Sequence, residues 1–445
     1  MMKKIQSLLA IVLILGLLSA CGNNGNTGDT NNQQQELQIV DYAGSVELNM
    51  SSNTAKTEAT VKSYIDGDTV HFYVPDTVCE NGVLKARFIA VDTPESTGKI
   101  EEYGKAAARF TREKLENAVS IIIESDDQNW NVDSTGSRNL VWIWYQPSEG
   151  AAYRNLNIEL LQNGLAAGSS AANNRYGSTC SAALSQSMAA KLHIFSGQKD
   201  PDYYYGDAIE LTLKELRTNI DAYNGMKVAF EGVVTLDGDN SVYVENYDPD
   251  TGLYYGITVY YGFNLNGEGL EILMVGNKAR IVGTVQYYEV GGTWQVAGVN
   301  YRPMQPDDPN NLQFISANNA PANVLTDPNT FVNGTVSIEV GEEIKNFEYA
   351  KLVLSTTVKM ENLFVKDVYT TTADDSSSKG AMTLTCEVNG VTVSVRTTVF
   401  YDENGQLITA DAYLGKTITV CGIVDYYNGT YQIKVFDESH ITVMD

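Results

Sequence analysis

A duplicated strand pattern constrains the fold of this 445-residue chain more than any other feature. Residues 275–304 read VGNKARIVGTVQYYEVGGTWQVAGVNYRPM, and residues 414–444 read LGKTITVCGIVDYYNGTYQIKVFDESHITVM. Each copy has an alternating strand, a Gly, a Val, a Tyr-Tyr pair, a turn, an aromatic-Gln pair and a second strand. An internal repeat of this kind predicts two related β-domains, and about five short strands in each favour small antiparallel OB-like barrels.

Strand and helix signals divide the chain into three globular blocks and a linker. Residues 55–200 show three strands, a helix over about 104–119, two strands, and helices over about 155–162 and 181–193. Residues 207–303 form the second block, in which LTLKELRTNID is either a helix or a strand with a turn. The Pro-, Asp- and Asn-rich residues 304–331 are predicted to be a linker, and residues 332–445 form the third block.

The first residues resemble a targeting signal. Two lysines precede a short apolar run over residues 8–18, and Leu18-Ser19-Ala20-Cys21 follows it. This pattern resembles a bacterial lipoprotein signal over residues 1–20, cleaved before Cys21 with lipid added to its thiol; the alternative is an ordinary secretory peptide with a chance cysteine. We expect an extracellular protein held at the bacterial cell membrane by lipid, with residues 21–54 as a flexible tether.

Cysteine and histidine usage argues against a zinc site. The four later cysteines form no CxxC motif, and the three histidines lie far apart in the sequence. In an oxidising compartment, disulfides such as Cys79–Cys180 or Cys386–Cys421 are one alternative, and free buried thiols are the other.

The negative charge is unevenly distributed along the chain. The formal net charge is −25, and residues 201–445 hold 14 Lys and Arg against 33 Asp and Glu, whereas residues 55–200 hold 14 against 18. An acidic C-terminal half repels polyanions, so we expect it to contact protein, cell wall or divalent cations rather than DNA. The tyrosine pairs in that half are predicted to be structural, although base stacking is an alternative: 254/255, 260/261, 287/288 and 426/427.

Five polar side chains in the first block are the candidates for chemistry: Asp68, Arg87, Asp92, Glu95 and Arg138. Asp68 follows a predicted hairpin turn and Asp92 ends a predicted strand, so both lie at one sheet edge. Like charges in such a place need a cation, and carboxylate oxygens without His or Cys suit calcium or magnesium. Strict alternation places Arg87 and Asp92 on opposite strand faces. Either a twist or bulge brings them together, or Arg87 reaches over the end of the strand.

Residues 58–200 resemble the staphylococcal nuclease (thermonuclease) family. The resemblance rests on motifs in the same order: IDGDTV (65–70), RFIAVDTPE (87–95), EYGKAAARFTREKLENA (102–118), RNLVWIW (138–144), LNIELLQNGLA (156–166) and KLHIFSG (191–197). It implies a five-stranded OB barrel with three helices, in agreement with the element order above. It also implies a calcium-dependent endonuclease that hydrolyses phosphodiester bonds of DNA, RNA or both.

The resemblance assigns roles by position. Asp68 and Asp92 match the calcium-binding aspartates, and Thr93 matches the residue that lends a backbone carbonyl to the ion. Glu95 matches the proposed general base. Arg87 and Arg138 match the phosphate-binding arginines, whose planar guanidinium groups make fork-like bonds to phosphate oxygens.

Three segments depart from the family pattern. DSTGSRNL (133–140) replaces a shorter turn before Arg138, and the loop between Glu95 and Tyr103 is also short. After residue 166, AGSSAANN stands where the family offers tyrosines that touch the nucleotide, which makes Arg175 and Tyr176 candidate substitutes. These departures leave two rivals: a catalytically weak surface binding or adhesion protein, and a processing enzyme for one structured substrate. Trp142 and Trp144 are predicted to be packing residues.

Overall fold

Strands dominate the computed structural model, which describes residues 38–263, 265–289, 291–373 and 376–444. Strand accounts for 39% and helix for 18%, which confirms the prediction of a mainly β chain. The described residues from 40 onwards form one compact unit with three hydrophobic cores. Within the described residues, none of the helices has the length and apolar character needed to cross a membrane.

The N-terminal domain is OB-like and is built around one sheet. Its elements are α1 (Tyr42–Ser45), β1 (Lys56–Glu58), β2 (Thr60–Tyr64), β3 (Thr69–Tyr73), β4 (Val83–Phe88), β5 (Ala90–Asp92), α2 (Gly104–Glu116), β6 (Ser120–Glu124), β7 (Asn139–Gln146), β8 (Arg154–Asn155), α3 (Leu156–Gln162), β9 (Ala167–Ser169) and α4 (Gly177–Ala189). The strand order is β1-β6-β7-β4-β3-β2, with β4 parallel to β7.

The predicted hairpin at Asp66-Gly67 is present, because β2 and β3 pair with Tyr64 opposite Val70. Trp142 and Trp144 on β7 are completely buried, so the prediction that they pack is confirmed. Their indole N–H groups donate to Asp126 Oδ1 (2.9 Å) and Glu124 Oε2 (2.8 Å), which satisfies both polar atoms inside the core.

The central barrel closes through the pairing of its first long strand with its fourth. Its elements are β10 (Ile209–Glu210), α5 (Leu213–Thr218), β11 (Lys227–Gly238), β12 (Ser241–Asp248), β13 (Leu253–Tyr260), α6 (Glu268–Ile272), β14 (Lys278–Tyr288), β15 (Thr293–Ala297) and β16 (Gln313–Ser316). The closing pair is β11–β14. The ambiguous segment LTLKELRTNID contains a helix, α5, which begins with a capping box between Thr212 and Glu215.

The C-terminal barrel repeats this arrangement. Its elements are β17 (Val324–Leu325), α7 (Pro328–Asn333), β18 (Thr335–Val340), β19 (Glu343–Glu348), α8 (Tyr349–Leu352), β20 (Thr357–Thr370), β21 (Met382–Val388), β22 (Val391–Thr397), β23 (Thr417–Tyr427), β24 (Thr430–Val435) and β25 (Ile441–Met444). It closes by β20–β23, and its β23–β24 hairpin corresponds to β14–β15. Two closed five-stranded barrels therefore confirm the OB-like prediction for this half of the chain.

The predicted linker over residues 304–331 is a connection only in part. Strand β16 lies inside it and pairs with β14, while β17 pairs with β20 and α7 begins before the linker ends. Strands β16 and β17 have only four and two residues, and turn-forming residues surround them. The sequence therefore shows no strand periodicity there.

The four described cysteines are unpaired. Cys180 and Cys386 are fully buried, and burial raises the pKa of each thiol to about 12. Because thiols of this kind are rarely ionised, we expect them to behave as small apolar side chains.

A buried arginine joins the two C-terminal barrels. The Arg217 guanidinium donates to the carbonyl oxygens of Gly256, in the central barrel, and Leu354, just before β20. Burial lowers the pKa of Arg217 to about 10. A guanidinium held by backbone carbonyls alone depends on both barrels keeping their relative positions.

Removal of this link is expected to destabilise the chain. We predict that Arg217→Ala lowers the free energy of unfolding by about 2–4 kcal/mol, because charged hydrogen bonds are lost and carbonyl acceptors are left buried. The measurement is urea unfolding. Arg302→Ala is the control, since the Arg302 side chain is 59% exposed and faces Asp308 at 3.6 Å, and a change of under about 0.5 kcal/mol is expected. Equal effects of the two substitutions would contradict this role for Arg217.

Candidate active site

The site begins where the β2–β3 turn meets the loop after β5. Asp68 is 4% exposed and accepts hydrogen bonds from the Thr69 hydroxyl (3.0 Å) and the Thr93 backbone N–H (2.8 Å). The Thr111 hydroxyl of α2 donates to the Gly67 carbonyl at 2.5 Å. The hairpin turn, the loop and α2 are therefore tied together around the Asp68 carboxylate.

Arg87 lies between the two predicted metal-binding aspartates. Its Nη1 contacts Asp68 Oδ2, and its Nη2 contacts Asp92 Oδ1 at 2.7 Å. The sequence pattern placed Arg87 and Asp92 on opposite faces, and a backbone irregularity resolves this. Strand β4 ends at Phe88 and β5 begins at Ala90, whose φ of 71° is rare for a residue with a Cβ. The break in alternation brings Arg87 and Asp92 together.

Negative charge is crowded around this arginine. Burial, followed by the charge of Asp68, raises the pKa of Asp66 to about 7. Glu95 is exposed as a residue, yet the protein around its carboxylate desolvates it in part, and this desolvation, with Asp68 and Glu101, raises its pKa. Burial alone would lower the pKa of Arg87, but the carboxylate of Asp68 raises it. The cluster therefore favours a bound cation.

The donor atoms suit a hard cation such as calcium. Asp68 and Asp92 offer carboxylate oxygens within reach of one guanidinium, and the buried Thr93 hydroxyl has no hydrogen-bond partner in the described structure. No group of three or more His, Cys, Asp or Glu residues that could hold a metal is found among the described residues. Calcium takes six to eight oxygen ligands, so these residues fit the ion as part of a shell completed by water or substrate oxygens.

Arg138 shares a cleft of about 640 Å³ with Arg87. Its Nε and Nη2 both contact Asp133 Oδ2 at 2.7 Å. Hydrogen bonds from Thr135 and Arg138 lower the pKa of Asp133 to about 2. Other polar residues line the same cleft: Asp126, Asn131, Ser134, Ser169, Ser170, Asn173 and Asn174. Arg87 is thus the residue that joins the carboxylate cluster to this cleft.

The two candidate substitutes for nucleotide-binding tyrosines have other roles. Tyr176 packs edge-on against Trp142 and Trp144, with ring centroids 5.0 Å and 5.9 Å apart. The Arg175 guanidinium is paired with the buried Glu124 at 2.6 Å. Both side chains therefore serve packing of the N-terminal domain rather than the cleft.

Two site residues were missed in the sequence. The sequence pattern indicates only a hairpin turn at Asp66 and only a divergent loop at Asp133. A pair of aspartates two apart in IDGDT was the available signal for Asp66. No comparable signal marks Asp133, because its pairing with Arg138 depends on the shape of the loop before β7.

Tyrosine pairs from the two barrels line a second cavity of about 890 Å³ beside Asp66 and Ser96. Tyr255 is completely buried, in line with a structural role. Five members of the other pairs line the cavity: Tyr260, Tyr287, Tyr288, Tyr426 and Tyr427. The duplicated hairpins thus present equivalent Tyr-Tyr pairs to one space between the barrels and the N-terminal domain.

Comparison with known protein families identifies this region. Residues 85–195 match the family described as "Staphylococcal nuclease homologue". The matched residues run from β4 to the turn after α4 and include Arg87, Asp92, Thr93, Glu95 and Arg138; Asp68 precedes them. Residues 85–195 therefore form a domain of the staphylococcal nuclease homologue family.

Proposed function

We propose that the chain is a calcium-dependent endonuclease that hydrolyses phosphodiester bonds of DNA, RNA or both. The observation behind the proposal is the placement of Arg87 against both Asp68 and Asp92, close to Glu95, in a domain of a nuclease family. The charges of Asp68, Asp92 and Arg87 act on Glu95. Arg138 lines the same cleft as Arg87. The reaction adds water across the P–O ester bond and leaves a phosphate monoester and a free hydroxyl.

Phosphate binding is assigned to Arg87 and Arg138. Each guanidinium offers parallel N–H donors that match the oxygens of a phosphate, and these bonds strengthen as negative charge grows in the transition state. Asp133 holds Arg138 through Nε and Nη2, so this guanidinium has a preset orientation at the cleft. Substrate binding requires Arg87 to exchange part of its contact with Asp68 and Asp92 for the phosphate.

Proton transfer is assigned to Glu95. A carboxylate whose pKa is raised towards neutrality is a better base for a water proton than an ordinary one, and Glu95 has a raised pKa. As a residue, Glu95 is exposed at the loop. Glu95 therefore acts as the general base that removes a proton from the attacking water.

Calcium, when bound, would be held by Asp68, Asp92 and the Thr93 carbonyl, and it would polarise the phosphoryl oxygens. Its positive charge would also offset the repulsion among Asp66, Asp68 and Glu95 when Arg87 turns to the substrate.

The proposal extends to location and to the acidic barrels. Cys21 lies outside the described residues, and the sequence pattern around it supports lipid attachment at the outer face of the bacterial membrane. The two acidic barrels are proposed to contact protein or cell wall rather than nucleic acid, because their charge repels polyanions.

The first test separates the nuclease from its rivals. The chain from residue 24 onwards is incubated with single- and double-stranded DNA and RNA in calcium. Cleavage of several of these substrates is expected. Intact substrates throughout would favour a surface binding protein, and cleavage of one structured form alone would favour a processing enzyme.

Glu95→Gln is predicted to lower kcat by at least about a hundredfold, since general-base catalysis contributes about 10²–10⁴-fold. The amide keeps the size of the side chain but accepts a proton poorly. Initial rates of oligonucleotide cleavage measure the effect, and circular dichroism confirms an unchanged fold. Glu80→Gln, at a site away from the cluster, is the matched control; a normal rate for Glu95→Gln would refute the assignment.

Removal of divalent ions is predicted to abolish cleavage, and added calcium to restore it. Asp92→Asn is expected to raise the calcium concentration at half-maximal rate by about tenfold or more, because one charged ligand becomes neutral. Asp76→Asn serves as the control for charge alone. The measurement is the rate against free calcium, and full activity in a chelator would rule out the metal requirement.

A further inference from the structure

The loop that bears Glu95 is held by the central barrel. Gly98 lies at the tip of this loop, between β5 and α2, and its N–H donates to Gln286 Oε1 at 2.9 Å. Gln286 Nε2 donates back to the Gly98 carbonyl at 2.6 Å. Gln286 lies on β14 and is only 5% exposed. The oxygen and the nitrogen of this buried amide therefore both hydrogen-bond to the backbone of Gly98, a residue of another domain.

The ends of the same loop are fixed within the N-terminal domain. Thr93 donates its N–H to Asp68, and Tyr103 donates its N–H to Asp200 Oδ2 at 2.6 Å. Gly104 begins α2 against the Glu95 carbonyl, where a Cβ would lie 2.1 Å from the oxygen. Between these ends, Glu101 bonds to the Glu95 backbone from within the loop.

The loop is attached at Thr93, at Tyr103 and, near its tip, at Gly98. Attachment at the two ends alone would leave the tip free to move. In the described structure, the backbone hydrogen bonds of residues 96–100 are the two between Gly98 and Gln286. Without them the loop tip would be held only through its two ends. Displacement of the tip would then pass to Glu95 through Glu101, whose bonds to the Glu95 backbone lie within the same loop. Gly298, with φ of 71°, lies against the backbone of Gly98, where an added Cβ would be 3.2 Å from the Gly98 carbonyl oxygen.

The internal duplication supplies a comparison inside the same molecule. Gln286 aligns with Asp425 of the second copy, and each faces a glutamine on the neighbouring strand, Gln295 and Gln432 respectively. In the C-terminal barrel, Gln432 Nε2 donates to Asp425 at 2.8 Å. The two side chains of that hairpin therefore hydrogen-bond to each other. In the central barrel, Gln286 reaches out to Gly98. The two copies differ at the position that contacts the nuclease domain.

We propose that Gln286 is a positioning residue, through which the central barrel holds the Glu95 loop in its working geometry. This inference rests on the proposed nuclease function. It gives the central barrel a role in catalysis that does not require it to bind nucleic acid, which fits its acidic character. Gln286 acts through the loop and does not itself touch the substrate.

The test uses Gln286→Asp, Gln286→Ala and Gln286→Glu. In Gln286→Asp, the new carboxylate faces Gln295 as Asp425 faces Gln432 in the C-terminal barrel. A hydrogen bond within the hairpin is therefore available, and this variant should fold even if Gln286→Ala does not. Glutamate keeps the acceptor for the Gly98 N–H and loses the donor, so it should restore part of the function. Glu289→Gln is the matched control, since it weakens another polar contact between the central barrel and the N-terminal domain, the Arg112–Glu289 pair, and leaves Gln286 intact.

Two readouts are expected to change together. The kcat for oligonucleotide cleavage should fall roughly tenfold to a hundredfold in the aspartate and alanine variants, because misplacement of about 1 Å has effects of that size. KM should stay within about twofold, since Arg87 and Arg138 are not on the loop. Trypsin should cleave after the exposed Lys99 faster in the same variants, as detected by mass spectrometry, while thermal unfolding shows a retained fold.

Each contrary result has a distinct meaning. An unchanged kcat in folded Gln286→Asp, with or without faster cleavage at Lys99, would overturn the positioning role and leave the nuclease proposal standing. An equal loss in Glu289→Gln would attribute the effect to the interface in general and would also overturn it. If the unmodified chain cleaves no nucleic acid, the nuclease proposal fails and the role of Gln286 fails with it.

Discussion

The ion pairs of Arg87 with Asp68 and Asp92 are the interaction on which the rest of the site depends. Burial, followed by the negative charge of Asp68, raises the pKa values of Asp66 and Glu95, and in such a place like charges repel strongly. The guanidinium supplies the compensating charge in this structure. In the proposed nuclease, a calcium ion would take over that task and free the same arginine for a phosphate. The proposal therefore links cation binding and phosphate binding through one side chain.

Much of this arrangement could be predicted from the sequence. The hairpin at Asp66-Gly67, the helix after Gly104 and the strand holding the two tryptophans all have strong local signals, and each is present. The fold of the two barrels followed from alternation and duplication. The short strands β16 and β17 were missed because four and two residues among turn formers give no periodicity. The contact of Arg87 with Asp92 depends on the positive φ of Ala90. A pattern of alternating strand residues does not predict such a break in the backbone.

The three-domain arrangement suggests why an acidic C-terminal half can accompany a nuclease domain. Negative charge on the barrels opposes long-range attraction of nucleic acid, so a direct binding role is costly there. The contact between the neutral Gln286 amide and the Gly98 backbone has no such electrostatic cost. The duplicated hairpin has kept its strand pairing in both copies, while Gln286 and Asp425 have different partners. One copy has thus become part of the contact with the nuclease domain.

A crystal structure with calcium and a non-hydrolysable nucleotide tests the central idea most directly. We expect an ion bound by oxygens of Asp68 and Asp92, with the Arg87 guanidinium turned to the phosphate and Glu95 facing the phosphorus. A structure in which Arg87 still bridges both aspartates at saturating calcium, with the nucleotide bound elsewhere, would contradict it.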